Sequence, residues 1–283
     1  IYEDLTKRDN DRFEYIYPNY LFAKEFNFSK DKNKKVSFVS EGFQKHYQTN
    51  TYEAIVVNDI KYNTNQKIFN SGFVNDFEFL IRNVNSDSEN SSNYKKDDNY
   101  EFLSSVLFKT SYPLIKKGNK NTKYFSPIFS AKYSPNQTKD ISNEDRYISY
   151  ENIFLMDRFG KNDFVEGGQS ISLGLEFNNI NNSDGRNIFN FGVAQIYRDN
   201  ENLDLPEKTN LNQKTSDLVG NLNIFPTENF GIEYSFAVDN SLDHNNYNFV
   251  KANLKVNKLV TSFEFLEEDN NFGDKSYLAN KTT

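Results

Sequence analysis

The clearest pattern in the chain is a strict alternation of apolar and polar positions from residue 170 to residue 177. Four apolar residues alternate there with four small or polar ones: Ile171, Leu173, Leu175 and Phe177 against Ser170, Ser172, Gly174 and Glu176. Successive side chains of a strand point to opposite faces, so the pattern predicts a strand with one apolar face and one polar face.

The stretch directly before this strand has no regular period. Residues 150–168 combine aromatic, acidic and arginine side chains and end in Gly167-Gly168, which predicts a connection that folds back on another part of the chain. Its charged residues allow two interpretations. They form a solvated loop with local ion pairs of little stabilising value, or they order a segment inside a barrel mouth or lumen. The residues concerned are Asp157, Arg158, Asp163 and Glu166.

Similar alternation recurs along the whole chain and predicts roughly eleven or twelve strands, joined by alternating short turns and long polar loops. Pro18 lies inside the first long strand, at residues 13–26, and predicts an edge position or a bulge there. Asp184-Gly185 predicts a tight hairpin after the central strand. The long loops are predicted at residues 86–99, 135–146 and 199–213.

This pattern favours an all-β fold, namely an antiparallel transmembrane β-barrel of which the chain forms only a part. A soluble β-sandwich, in which two sheets bury the apolar faces, is the competing fold. In the barrel, one set of side chains is predicted to face lipid: Leu173, Phe189, Phe191, Ile232, Tyr234 and Phe236. Another set is predicted to face the lumen: Ser172, Glu176, Glu233 and Lys251.

Composition supports the barrel without deciding between the two folds. Aromatic residues make up 16 % of the chain, with 27 Phe and 18 Tyr, yet the mean hydropathy is only −0.79. A barrel strand needs only ~10 alternating residues, and its polar lumen face keeps the hydropathy low. The net charge of −7 argues against sequence-independent binding of nucleic acid. The absence of cysteine excludes disulfides and thiolate metal sites within the chain.

Candidate catalytic and metal-binding patterns are weak. The two histidines, His46 and His244, are far apart, and there is neither a nucleophile elbow nor a phosphate-binding loop. Residues 239–250 begin like a calcium loop, but His244 stands at the glycine position and Val250 at the final glutamate position. We therefore predict no enzyme activity, no metal and no cofactor.

The order of several short motifs resembles the barrel domain of the lipopolysaccharide-assembly outer-membrane protein family (LptD, also called OstA or Imp). The motifs are residues 11–18, the two proline-containing segments 112–114 and 125–127, the central run 150–177, and the strand 191–198. Two residues separate Gly192 from Gln195, where the family often has them adjacent, and the chain also lacks the family's cysteines.

The resemblance implies a translocon part that receives lipopolysaccharide from the periplasm and inserts it into the outer leaflet of the bacterial outer membrane. The implied partners are lipopolysaccharide, a plug lipoprotein (LptE-like) inside the barrel, and a periplasmic bridge protein (LptA-like). Residues 1–283 are expected to be a central piece of the barrel domain, without the periplasmic jellyroll and the last strands. Another outer-membrane porin or receptor barrel, or a soluble β-rich binding protein, remains as the alternative.

Overall fold

The computed structural model describes residues 2–3, 13–26, 34–47, 50–64, 67–269 and 275–282. Within these residues the protein is all-β, with one short 3-10 turn at Lys208–Asn210. No helix in this part of the chain is long and apolar enough to cross a membrane. The strands are β1 (Tyr2–Glu3), β2 (Phe13–Phe26), β3 (Lys35–Tyr47), β4 (Tyr52–Asn63), β5 (Lys67–Ile68), β6 (Val74–Glu89), β7 (Asn99–Ser111), β8 (Leu114–Lys117), β9 (Asn121–Ser134), β10 (Gly168–Asn181), β11 (Asn187–Arg198), β12 (Leu218–Thr227), β13 (Phe230–Val238), β14 (Asn245–Val256), β15 (Leu259–Glu268) and β16 (Lys275–Thr282).

All strands belong to one antiparallel sheet in which chain neighbours pair with each other. The path runs from β1 to β16, while the short β5 and β8 pair beside it with β6 and β9. This path contains fourteen strands in the described residues, and β1 and β16 stand at its two open edges. The predicted all-β, antiparallel and incomplete barrel is thereby confirmed. The path has two strands more than the predicted eleven or twelve, namely β1 and β16. Of these two, the sequence predicted only the start of β16.

Strand boundaries differ from the prediction where the sequence turns polar. The first long loop was expected from Ser86, but β6 continues to Glu89, and Ser86 pairs with Asn99 of β7. Backbone pairing satisfies the same donors and acceptors whatever the side chain, so a polar stretch can extend a ladder that its neighbour already provides. At Pro18 the register with β3 shifts, which confirms the predicted bulge. Residues 11 and 12 of the first motif lie outside the described residues.

The connections differ strongly between the two ends of the sheet. Residues 90–98, 135–167 and 199–217 form long connections at one end, which we call the long-loop end. The opposite end has tight turns such as 228–229 and 257–258. The predicted Asp184-Gly185 hairpin also lies there, and Gly185 adopts a φ of +71°, which glycine reaches without steric cost.

The two longest connections do not extend away from the sheet but fold onto one of its faces. We call residues 135–167 the inner segment, residues 199–217 the second segment, and the face that they cover the inner face. Their apolar side chains and those of the inner face build the main core. Its buried members are Ile141, Ile148, Ile153, Phe154, Phe159, Phe164, Ala194, Ile196, Leu205, Leu211, Val219 and Ala237.

Small residues on the inner face make room for this packing. A Cβ atom on Gly174 would lie 2.6 Å from Cζ of Phe154, and one on Gly192 would lie 2.4 Å from the ring of Tyr150. Carbon atoms attract each other at separations of about 3.5–4.0 Å, and at the shorter separations just given they repel each other strongly. Position 174 of the alternating pattern is therefore occupied by glycine, because an aromatic side chain of the inner segment packs directly on it.

The opposite, outer face carries the apolar half of the pattern. The pairing register places all six residues predicted to face lipid on this face: Leu173, Phe189, Phe191, Ile232, Tyr234 and Phe236. No second sheet covers it among the described strands. That feature separates the fold from a sandwich, whose apolar faces pack against each other.

Candidate functional site on the inner face

A buried cluster of charges joins the inner segment to the sheet. Strand register places Lys132 of β9, Ser170 of β10 and Arg198 of β11 side by side on the inner face. Above this row lies Glu166 at the end of the inner segment. Its carboxylate is 2.8 Å from Nζ of Lys132 and also contacts the guanidinium of Arg198. We call Glu166 and its cationic partners the Glu166 cluster.

The third cation of the cluster, Arg158, comes from the inner segment itself. Its Nη1 lies 3.3 Å from Oε1 of Glu166 and donates to the hydroxyl of Ser170 at 3.3 Å, while its Nη2 donates to the hydroxyl of Ser172 at 3.2 Å. The side chains of Glu166, Arg158, Lys132 and Arg198 are 2 %, 0 %, 3 % and 4 % exposed. One carboxylate thus holds three cations away from solvent.

Electrostatics favour the ionised form of the carboxylate in this cluster. Burial by itself would raise the pKa of Glu166, but the surrounding cations Arg198, Lys132 and Arg158 hold it well below its ordinary value. Burial lowers the pKa of Arg158, and the carboxylate of Glu166 opposes that shift. A buried ion is stable only when its partners satisfy it, so the carboxylate is the group on which the three cations depend.

A second buried contact clamps the inner segment between two and five residues before Glu166. Arg82 of β6 is opposite Asp59 of β4, and its Nε and Nη2 each donate to a carboxylate oxygen at 2.7 Å. Its Nη1 donates to the carbonyl oxygens of Lys161 and Phe164 at 2.9 and 2.7 Å. A planar guanidinium with five donors suits this task, because it binds a carboxylate with one edge and backbone with the other.

Asp157 and Asp163 have separate, local roles. Oδ1 of Asp157 accepts hydrogen bonds from the backbone N–H groups of Phe159 and Gly160, so it closes a turn of the inner segment. Asp163 accepts a 2.7 Å bond from Nζ of Lys139. Burial raises the pKa of Asp163, but hydrogen bonding and charge from Lys139 lower it overall. Of the four predicted charged residues, only Arg158 and Glu166 contact each other.

The remaining predicted lumen residues share the inner face, and of these only Ser172 contacts the Glu166 cluster. Ser172 bonds to Arg158, as described, while Glu176 accepts a 2.7 Å bond from Asn178. Glu233 and Lys251 are opposite each other on β13 and β14, and Lys251 pairs with Glu264 at 2.9 Å. That these residues contact the lumen contents stays a prediction.

The second segment has its own ionic attachment. Nζ of Lys208 lies 2.9 Å from Oδ1 of Asp145 in the inner segment and also contacts the carboxylate of Glu268 at the end of β15. Asn202 donates a 2.6 Å bond to Thr138, and the backbone N–H of Ile141 donates to a carbonyl oxygen of the second segment at 2.8 Å. The two segments therefore form one connected layer over the inner face.

Several residues of this layer were missed by sequence reasoning. Lys132 and Arg198 are charged residues within otherwise regular strands, in phase with small inner residues such as Ser130 and Ala194. That phase was a usable signal, because a long charged side chain in the middle of an inner row needs a partner. Arg82 and Asp59 were not among the predicted site residues.

The two histidines and the calcium-like loop are not parts of this layer. His46 lies 3.0 Å from Gln44, and His244 lies 3.3 Å from Asp269. Oδ1 of Asp239 accepts hydrogen bonds from the backbone N–H and hydroxyl of Ser241. In the part of the chain that the structure describes, no three His, Cys, Asp or Glu side chains are grouped as a metal site would require.

Comparison with known proteins gives the chain its family. The model of the family LptD, described as LPS transport system D, matches residues 80–277 of the 283. The matched range contains the Glu166 cluster, Arg82 and both segments. No curated protein matches the chain. The family acts in lipopolysaccharide transport at the outer membrane, as the motif order predicted. The chain belongs to the LptD family.

Proposed function

We propose that this chain forms part of the wall of an outer-membrane translocon that receives lipopolysaccharide from the periplasm and inserts it into the outer leaflet. It acts by transport and not by catalysis. Residues 1–283 form a central part of the barrel domain, and other parts of the whole protein complete the wall. The family match supports the transport role, and the two different faces of the sheet support a place in the membrane.

The observation that carries the proposal is the contrast between these faces. The outer face presents a broad apolar surface that includes Ile171, Leu173 and Leu175, each at least 40 % exposed. The inner face carries buried serines and ion pairs. Hydrocarbon chains can contact the first face at no polar cost, while charged headgroups need the second environment. Lipopolysaccharide combines both kinds of chemistry in one molecule, so its passage requires both faces.

The ion-clamped layer gives the lumen a fixed partition. Arg82 and the Glu166 cluster attach the inner segment to two different parts of the sheet, and Lys208 of the second segment links it through Asp145 to Glu268 at a third. Lipopolysaccharide then moves past this layer without displacing it. The lumen residues Glu176, Glu233 and Lys251 line the part of the inner face away from the cluster.

The proposed partners follow from the family. A plug lipoprotein (LptE-like) occupies the remaining lumen, and a periplasmic bridge protein (LptA-like) delivers lipopolysaccharide to a domain outside this chain. We place the tight-turn end of the sheet toward the periplasm and the long-loop end toward the cell surface, because outer-membrane barrels have short periplasmic turns and longer outer loops.

Depletion of the protein in its own bacterium tests this function. Newly made lipopolysaccharide is traced by a pulse of labelled sugar. After depletion, we expect a smaller fraction of it to be accessible to a membrane-impermeant reagent at the cell surface. Assembly of an unrelated porin, measured in the same cells, serves as the control and should stay normal at first. Unchanged surface delivery of lipopolysaccharide, or an equal loss of the porin, would count against the proposal.

A further inference from the structure

A polar cavity of about 580 Å³ lies at the long-loop end and belongs to none of the clamps. Three parts of the chain enclose it: the connection 90–98, the inner positions of β6 and β7, and the first residues of the inner segment. We call it the mouth cavity. Its volume falls within the ~300–1,000 Å³ typical of ligand sites.

The charges around the mouth cavity do not favour an anion. Its lining contains the lysines Lys95 and Lys139 against the acids Glu101, Asp140 and Asp163. Lys139 is already paired with Asp163 at 2.7 Å. The remaining groups, one cation and two carboxylates, leave a formal excess of one negative charge. A phosphate group would meet net repulsion here, while an uncharged polar ligand would not.

The lining mixes hydrogen-bonding groups with apolar surface. Gln137 and Lys95 project exposed polar ends that have no hydrogen-bond or ion-pair partner among the described residues. Glu101 accepts a 2.6 Å bond from Asn99 at Oε1, which leaves Oε2 to accept others. Tyr94 and Leu103 supply the apolar part of the wall. This combination fits a ring with hydroxyls on its edge and C–H groups on its faces, that is, a sugar.

The clamps hold this wall in place before any ligand arrives. Nζ of Lys139 lies 4.4 Å above the ring of Tyr94, and Asp163 pairs with the same ammonium group. Glu166 of the cluster follows Asp163 by three residues, and the carbonyl oxygen of Phe164 between them accepts a hydrogen bond from Arg82. A preorganised site loses less conformational entropy on binding than a mobile loop does.

We propose that the mouth cavity binds a sugar residue of the saccharide part of lipopolysaccharide. This inference rests on the proposed function, because it takes lipopolysaccharide as the molecule that passes the lumen. The carboxylates and amide groups of the lining disfavour acyl chains as the occupant, and the charge balance disfavours phosphate. The position at the long-loop end suits the saccharide, since that part of the molecule ends outside the membrane.

The test is a binding measurement on the native protein purified in detergent. The probes are acyl-free saccharide released from purified lipopolysaccharide by mild acid, and lipid A alone. The variants are Glu101→Gln, which keeps the bond from Asn99 but loses the charge, and Tyr94→Leu. Glu201→Gln is the matched control, because Glu201 is an exposed glutamate of the second segment at the same end of the sheet.

We expect the free saccharide to bind the wild-type protein and the control alike. Each cavity variant should weaken binding by about tenfold, as the loss of a charged hydrogen-bond acceptor or of an apolar contact surface predicts. Binding of lipid A alone, or equal saccharide binding by all variants, would overturn the assignment. Surface delivery of lipopolysaccharide, measured in parallel, separates the two ideas: normal delivery without saccharide binding refutes only this site, whereas failure of the depletion experiment refutes the transport function.

Discussion

Replacing Glu166 with Gln should release the inner segment from the sheet. The substitution keeps the shape of the side chain but removes the only carboxylate that Lys132, Arg158 and Arg198 share in the Glu166 cluster. All three cations then remain in a site that excludes water. Neutral Gln can still accept hydrogen bonds, so the lost quantity is the charge and not the contact.

The magnitude follows from the burial of the cluster. Breaking a buried ion pair from one side costs ~3–5 kcal/mol, because the other charge stays desolvated. The three contacts share one carboxylate, so their costs do not add, and we expect about 3–5 kcal/mol in total. At about 1.4 kcal/mol per factor of ten, the detached state should become more than about a hundredfold more populated.

Hydrogen exchange in detergent measures this detachment directly. The amide of Ile153, bonded to the carbonyl of Ser149 at 3.1 Å, reports on the inner segment, while amides in the β9–β10 ladder provide an internal reference. Glu144→Gln is the matched control. Glu144 pairs with Arg146 and Lys161, but its side chain is 32 % exposed, so the loss of its charge should cost only ~0–1 kcal/mol. Equal exchange rates in the Glu166 variant and this control would refute the reasoning.

The same experiment has a predictable dependence on pH. The pKa of Glu166 is well below its ordinary value in the folded protein, so its contribution is complete above the ordinary carboxyl pKa of ~4.3. The contribution is lost as the pH falls through the folded pKa. Asp163, whose pKa is also lowered, acts in the same direction. Inner-segment protection should therefore stay constant from about pH 5 to 8 and fall in stronger acid, less steeply in Glu166→Gln.

Three further substitutions test other parts of the architecture. Arg82→Lys removes the two-point contact with Asp59 and the hydrogen bonds to two backbone carbonyl oxygens, so the inner segment should lose about 2–3 kcal/mol of exchange protection. An unchanged exchange rate would contradict the role of Arg82 in holding the inner segment. Gly174→Ala should cost ~1–3 kcal/mol in a urea titration by overpacking Phe154 and Ala194, and Phe154→Leu should cost less in this variant than in the wild type; an equal cost in both would argue against the contact between Phe154 and Gly174. Leu173→Arg should destabilise the protein in lipid vesicles by ~2–4 kcal/mol, and full stability would remove Leu173 from the lipid-facing surface.

Much of the wall could be predicted from the chain because its signals are local. Alternation at 170–177 assigned β10 and its two faces, and Asp184-Gly185 marked the hairpin to β11. Pro18 marked the bulge in β2 in the same way. Each of these signals depends on side-chain period or on the conformational preference of one residue. The family followed from the order of such motifs along the chain.

The layer over the inner face depended on contacts between distant residues. Lys132 and Arg198 are 66 positions apart, and they meet Glu166 only because β9 and β11 flank β10 in a particular register. Arg82 reaches Phe164 across 82 positions. The central run also allowed a solvated loop, since its own residues do not say whether Arg158 finds a partner in solvent or in the sheet.

The sequence by itself therefore determined the strands, their faces and the family, because alternation and turn chemistry act over a few neighbouring residues. Only the tertiary structure decided that the irregular run before β10 is buried and held by the Glu166 cluster and Arg82. The physical reason is that a charged side chain is stable in a water-free place only when its partners are already positioned there. Strand register and the packing of Phe154 on Gly174 position those partners, and neither can be predicted from a pattern of neighbouring residues.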